Sequence, residues 1–301
     1  MTGVCPPVLL LVCDRPDLTR RVVERIREAR PRQLYVAADG ARSDAAAAQE
    51  ARVSALEIDW ECDVVTLFRD RNLGCKEAVG SAVTWFFEHV EEGVILEDDC
   101  VPAPSFFRYC AELLERFRDD ERVAGIGGNS FRDAHAAGGS YTFSIYNQTW
   151  GWATWRRAWS HYDGALALWP GLRETGWLED FLRDRPAARF WREVFDRDLR
   201  GEIDTWDFAW TLACWVQNGL TVHPGVNLVS NIGFDERATH TRNAASPLAA
   251  VPAERIELPL VHPPVARDHE ADRFTAEHVH RVRFRTSRLR RALYRARRAF
   301  S

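Results

Sequence analysis

The chain has 301 residues, 46% hydrophobic and 28% charged, with a formal net charge of -4. That is the balance of an ordinary globular protein with one sizeable core, and it excludes general disorder. The longest apolar run, residues 8–13, is far short of the roughly 20 residues that cross a bilayer, and no basic segment followed by a long apolar stretch opens the chain, so a cytoplasmic protein is expected.

Charge and cysteine are unevenly used. From Arg281 to Ser301 there are nine arginines and no acids, which leaves 31 basic against 44 acidic side chains in the preceding 280 residues, a balance of -13. Such a surface argues against nucleic acid as a partner. Lys76 is the only lysine. The seven cysteines include no Cys-x-x-Cys pair and no finger-like His/Cys spacing, and they read as reduced thiols that mostly fill the core.

In chain order, residues 8–13 predict a strand and 16–30 a helix, with apolar side chains at 18, 22, 23 and 26 and Pro31 as the stop. A strand over 33–38, a helix over 45–56, a strand over 63–68, a helix over 75–89 and a strand over 93–96 follow. This alternation implies right-handed crossovers and a parallel sheet. Each strand delivers polar residues at its end: Asp14-Arg15, Asp39, Arg69-Asp70-Arg71 and Glu97-Asp98-Asp99. Further on, 102–118 predicts a helix and 123–126 a strand, a helix capped by Asp204 or Thr205 runs to Val216, and a strand runs through Leu228.

The apolar run ending in Glu97-Asp98-Asp99 is the sharpest local signal. Ligands of open α/β sheets collect beyond the carboxyl ends of the strands, and adjacent buried carboxylates repel unless a cation compensates them. Mg²⁺ or Mn²⁺ held by one or two carboxylates and by substrate phosphates is the expected compensation; the alternative is a strand-end turn whose acids cap the next helix. Ten of the twelve tryptophans lie between Trp150 and Trp215. Most should be core, with one or two touching a ligand, and Trp150 to Trp155 is the favoured contributor because Gly151 permits close approach. The Gly-x-Gly-x-x-Gly, P-loop and Gly-x-Ser-x-Gly motifs are all absent, which disfavours dinucleotide-dependent oxidoreductases, P-loop enzymes and serine hydrolases.

Val12-Cys13-Asp14-Arg15-Pro16, Ala38-Asp39-Gly40, Asn72-Leu73-Gly74-Cys75-Lys76, Glu97-Asp98-Asp99, Trp206-Asp207 and Ala238-Thr239-His240 stand in an order that resembles GT-A nucleotide-sugar glycosyltransferases, nearest the N-acetylglucosaminyltransferase I-like group and related bacterial sugar transferases. The resemblance covers roughly residues 6–242. It implies an α/β fold of GT-A (Rossmann-like) type, with a mixed, mainly parallel sheet flanked by helices. Residues 1–130 would bind the nucleotide sugar and 131–242 the acceptor, followed by a connector over 243–280 and a basic tail over 281–301. The implied donor is a nucleoside-diphosphate sugar, a UDP-sugar by preference, and the acceptor a glycan or lipid-linked hydroxyl.

Carried over by position, the resemblance places Cys13 and Arg15 against the nucleotide, with Arg15 on base or phosphate, Asp39 at the base or ribose, and Lys76 near the nucleotide. Glu97 would approach the donor sugar, Asp98 the ribose and Asp99 the metal. Asp207 matches the family's general base, which takes the acceptor's proton as its hydroxyl attacks the anomeric carbon with inversion. Read without the resemblance, Asp207 is an acid in the first turn of a helix capped by Asp204 or Thr205, and Asp204 is the reserve base. His240 would lie on a closing loop, hydrogen-bonded to the diphosphate or ligating the metal. The tail reads as a basic amphipathic helix, either on the anionic inner face of a membrane or packed on an acidic protein surface.

Overall fold

The computed structural model describes residues 5–132, 139–238 and 243–282. His240 and most of the basic tail, residues 283–301, lie outside that set. The first third follows the periodicity closely. Strands β1 (Val8–Val12), β2 (Gln33–Ala38), β3 (Asp63–Phe68) and β4 (Glu92–Glu97) alternate with helices α1 (Pro16–Ala29), α2 (Ala45–Ala55) and α3 (Cys75–His89). The strands pair in parallel in the order β3-β2-β1-β4. Helix α1 has Pro16 in its first turn and buries Leu18, Val22, Val23 and Ile26 on one face. It stops at Arg30, whose left-handed backbone (φ 48°) lets its N–H return to the Ile26 carbonyl.

Beyond Glu97 the chain departs from its local signals. Residues 100–102 form β5 (Cys100–Pro102) and not the start of a helix, because they pair antiparallel with β10 (Val229–Asn231) from far along the chain; α4 (Phe106–Arg116) begins only afterwards. The strand expected through Leu228 is divided between β9 (Leu220–Pro224), in the main sheet, and β10, in the small one. Strands β6 (Val123–Gly127), β7 (Tyr141–Ser144) and β8 (Trp152–Trp155) join β9 to complete an eight-stranded mixed sheet, β3-β2-β1-β4-β8-β6-β9-β7. Only β6 and β9 run parallel within this second part.

Between β8 and β9 lie α5 (Arg156–Trp159), α6 (Trp169–Arg173), α7 (Trp177–Leu182), α8 (Arg185–Leu199) and α9 (Asp207–Val216). Of the ten clustered tryptophans, eight are buried, all but Trp150 and Trp177. Two apolar layers cover the faces of the sheet, and a third core, built on Trp169, Trp191 and Trp215, holds the short helices together. The stretch expected as an extended connector contains α10 (His269–His278). Asp272 of that helix accepts from Ser144 Oγ at 2.6 Å and the Ile145 N–H at 3.0 Å, which fastens it to the end of β7. Among the described residues, no helix is long and apolar enough to cross a membrane.

Candidate functional site

The parallel register sets Leu11 beside Glu97, so the segments leaving β1 and β4 emerge together at the carboxyl edge of the sheet. Asp98 is buried and doubly held by the end of β1: the Cys13 N–H donates to its Oδ2 at 3.2 Å, and the Arg15 guanidinium ion-pairs with its Oδ1. The same guanidinium reaches Asp99 Oδ2 at 2.9 Å. Burial, then Asp99 and Asp98, push the Glu97 carboxyl up to about 8. Burial likewise pushes Asp98 up to about 6, against the pull of Arg15. Arg15 itself is desolvated, but Asp98 and Asp99 hold it firmly protonated.

The acid triplet therefore has a cation, and it comes from the chain. As the side chains stand, they do not fit a bound divalent metal. Both acids place an oxygen on Arg15, and Asp99 Oδ1 also faces Asn231 Nδ2 at 3.5 Å and Cys100 Sγ at 3.4 Å. The segment after β10 closes over the pair. A Cβ added at Gly233 would lie 2.0 Å from Asp99 Oδ2 and 2.6 Å from Arg15 Nη1, a space only glycine leaves.

Next to this pair opens a first chamber of about 750 Å³, whose wall includes Cys13, Arg15, Asp39, Arg42, Glu97 and Asp98. Asp39 is there, but its carboxylate is engaged: it accepts from the Gly40 N–H at 2.9 Å and from the Leu73 N–H at 3.0 and 3.1 Å. Asn72 Nδ2 donates to the Gly40 carbonyl at 2.8 Å, so these bonds zip together the loops after β2 and β3. Lys76 does not line the chamber. Its ammonium ion-pairs with Asp198, a buried carboxylate near the end of α8, across 122 residues of sequence.

A second chamber of about 920 Å³ lies beyond Glu97, with Trp150, Thr205, Asp207, Phe208 and Asn231 in its wall. Arg15, Cys75 and Glu97 line both chambers and mark where they meet. Asp207 is the first residue of α9, whose first turn the sequence predicts for it, and Thr205 Oγ1 donates to its Oδ1 at 2.6 Å. Asp204 caps a helix, though a different one from that expected: its carboxylate accepts the Cys75 N–H at 3.1 Å and the Lys76 N–H at 2.9 Å at the start of α3. Gly74, with φ 83°, makes room for it, since a Cβ there would lie 2.9 Å from Asp204 Oδ2. Trp150 stands between Phe131 and Phe234, edge to face with each at 5.3 and 5.5 Å.

The structure thus brings Cys13, Arg15, Asp39, Glu97, Asp98, Asp99 and Asp207 to one two-chambered cleft and turns Lys76 away from it. Sequence reasoning missed Asn231, Asp198 and the capping role of Asp204, because each acts on a partner more than a hundred residues distant. No protein-family model matches the chain, and no curated protein matches it significantly. Among solved structures it is similar to HddC from Yersinia pseudotuberculosis at 9% identity and a TM-score of 0.34, over 50% of this chain and 77% of that one. A likeness at that level assigns neither a family nor an activity.

Proposed function

We propose that the protein is a glycosyltransferase of GT-A type that moves a sugar from a nucleoside-diphosphate donor to a hydroxyl of a glycan or lipid-linked acceptor, with inversion. The observation that carries this reading is the pair of chambers meeting at Glu97, with basic and carboxylate groups on one side and Asp207 among aromatic side chains on the other. A displacement needs that division, because donor and acceptor must approach one carbon from opposite sides.

In this reading the nucleotide occupies the first chamber and the transferred sugar reaches Glu97. The acceptor hydroxyl enters the second chamber, gives its proton to Asp207 and attacks the anomeric carbon while the bond to the diphosphate breaks. Thr205 fixes the Asp207 carboxylate by its 2.6 Å hydrogen bond. Arg15, at the junction, holds Asp98 and Asp99 in place beside the departing diphosphate, and Trp150 offers an apolar face of the kind sugar rings stack on. The expected Mg²⁺ or Mn²⁺ enters no step derived from these residues.

A thermal-shift panel of nucleoside diphosphates and their sugars, run with and without Mn²⁺ and Mg²⁺, tests the donor half of this reading. Stabilisation by one nucleoside diphosphate above the others fixes the donor class. Failure of every nucleotide to raise the melting temperature overturns it.

A further inference from the structure

Strand β3 ends the sheet, and among the described residues no strand pairs with its outer edge. Its orientation is fixed by the inner side: the Asp63 and Arg69 N–H groups donate to the Arg32 and Ala38 carbonyls at 2.8 and 3.0 Å. Alternate residues of a parallel strand serve the same neighbour, so Asp63, Val65, Leu67 and Arg69 face β2. The N–H and C=O groups of Val64, Thr66 and Phe68 point outward. Val64 and Val65 are 37% and 36% exposed, and Val53 and Leu56 of α2, which leads into β3, are 53% and 41% exposed. Edge strands are usually protected by charged side chains, above all lysine, or by proline, a bulge or brevity, and the one such device within β3, Asp-Val-Val-Thr-Leu-Phe, is Asp63 at its first residue.

We propose that this edge pairs antiparallel with the same edge of a second copy of the chain, about a two-fold axis at Thr66, so that two sheets become one. The strand is complementary to itself in that register. Thr66 meets Thr66 and Val64 meets Phe68, which satisfies every outward backbone group of the strand. Between them Val65 meets Leu67 and Asp63 meets Arg69. Just past the ends, Glu61 falls opposite Arg71. Acids at the start of the strand and arginines after its end make the antiparallel arrangement attractive at both ends, whereas a parallel pairing of two copies would set like charge on like. A shift of two residues either way places Asp63 opposite Leu67 or Arg71 and strands outward groups without partners.

Light scattering on the full-length protein at micromolar concentration tests this. The wild type is expected at twice the monomer mass. Asp63→Arg and Arg69→Glu should each be monomeric, because each sets like charges across both ends of the pair. An equimolar mixture of those two variants restores both attractive pairs and should regain the doubled mass, which also establishes that each variant is folded. Thr66→Pro removes an outward N–H that β2 does not use and should be monomeric as well. A monomeric wild type, single charge variants that keep the doubled mass, or a mixture that stays monomeric would each overturn the proposal.

Discussion

The two parts of the cleft are built by different rules. The first chamber rests on β1 to β4, where every strand end reaches the same edge because the crossovers leave no alternative, and, Asp204 apart, its charged residues come from those strand ends and the segments that follow them. The second chamber rests on α9, β10 and the tryptophan-rich core, and contacts across a hundred residues or more set its geometry. A periodic scaffold thus fixes the first chamber, while the placement of the second depends on packing that has no period. Arg15, Cys75 and Glu97 belong to both, so the junction is where the distinction can be broken.

The largest effect should come from the second chamber alone. Asp207→Asn is expected to lower transfer by about 10²- to 10⁴-fold while leaving nucleotide-induced thermal stabilisation intact. Unchanged turnover would move the base elsewhere and remove the functional division between the chambers. Arg15→Ala strikes both at once: it leaves Asp98 and Asp99 buried without their cation and should cost about 3 kcal/mol in denaturant unfolding, together with loss of nucleotide binding. Retention of full stability would mean that the acids find another partner.

Asp204→Ala sharpens the comparison, since the residue belongs to the second half by sequence and to the first by contact. It should cost about 1 kcal/mol, with faster amide exchange at Cys75 and Lys76. Exchange rates that change only around α9 would return Asp204 to the second half.

The smallest effect is one of pH, and the two halves should answer with opposite sign. Burial lowers His223, whose Nε2 meets the Tyr146 carbonyl at 2.8 Å, and lowers His280 to about 4, where its ring lies among Tyr146, Phe190 and Trp191. Their folded state resists protonation, so their contribution is complete above 6.5 and is lost as pH falls below it, for His280 toward 4. Glu97 is raised to about 8, so the fold holds its proton more tightly than the unfolded chain does, and acidification through that range adds stability. Between pH 7 and 5, tryptophan fluorescence should report loosening of the second half while amides at the end of β1 exchange more slowly. Parallel behaviour of both reporters would contradict the assignment.

Much of the first half could be read from residues alone. The bounds of β2, β3 and α3 match the apolar spacing and its punctuation, because each element is a short run that pairs with or packs on its neighbours in sequence, even where, as in β3, most of its residues stay exposed. The acid triplet was legible as a place needing positive charge, and Asp207 as an acid in the first turn of a helix. What residues alone could not disclose was that Arg15 meets that need, that Pro102 belongs to a strand whose partner lies beyond residue 228, or that the lone lysine faces Asp198 and not the cleft. Each depends on a partner chosen by tertiary packing, which leaves no local signature.

The core around Trp169, Trp191 and Trp215 has one more consequence, which concerns engineering. Helices α6 to α8 lie in the chain between α5 and α9 and supply half of the sixteen buried residues of that core, with Ala209, Leu212 and Trp215 of α9 among the rest. Rewriting that lobe would change the packing behind the second chamber and not its wall, to which α6 to α8 contribute no residue, provided that a carboxylate at position 198 is kept for Lys76. The single lysine is thus the fitting that any transplanted lobe would have to accept.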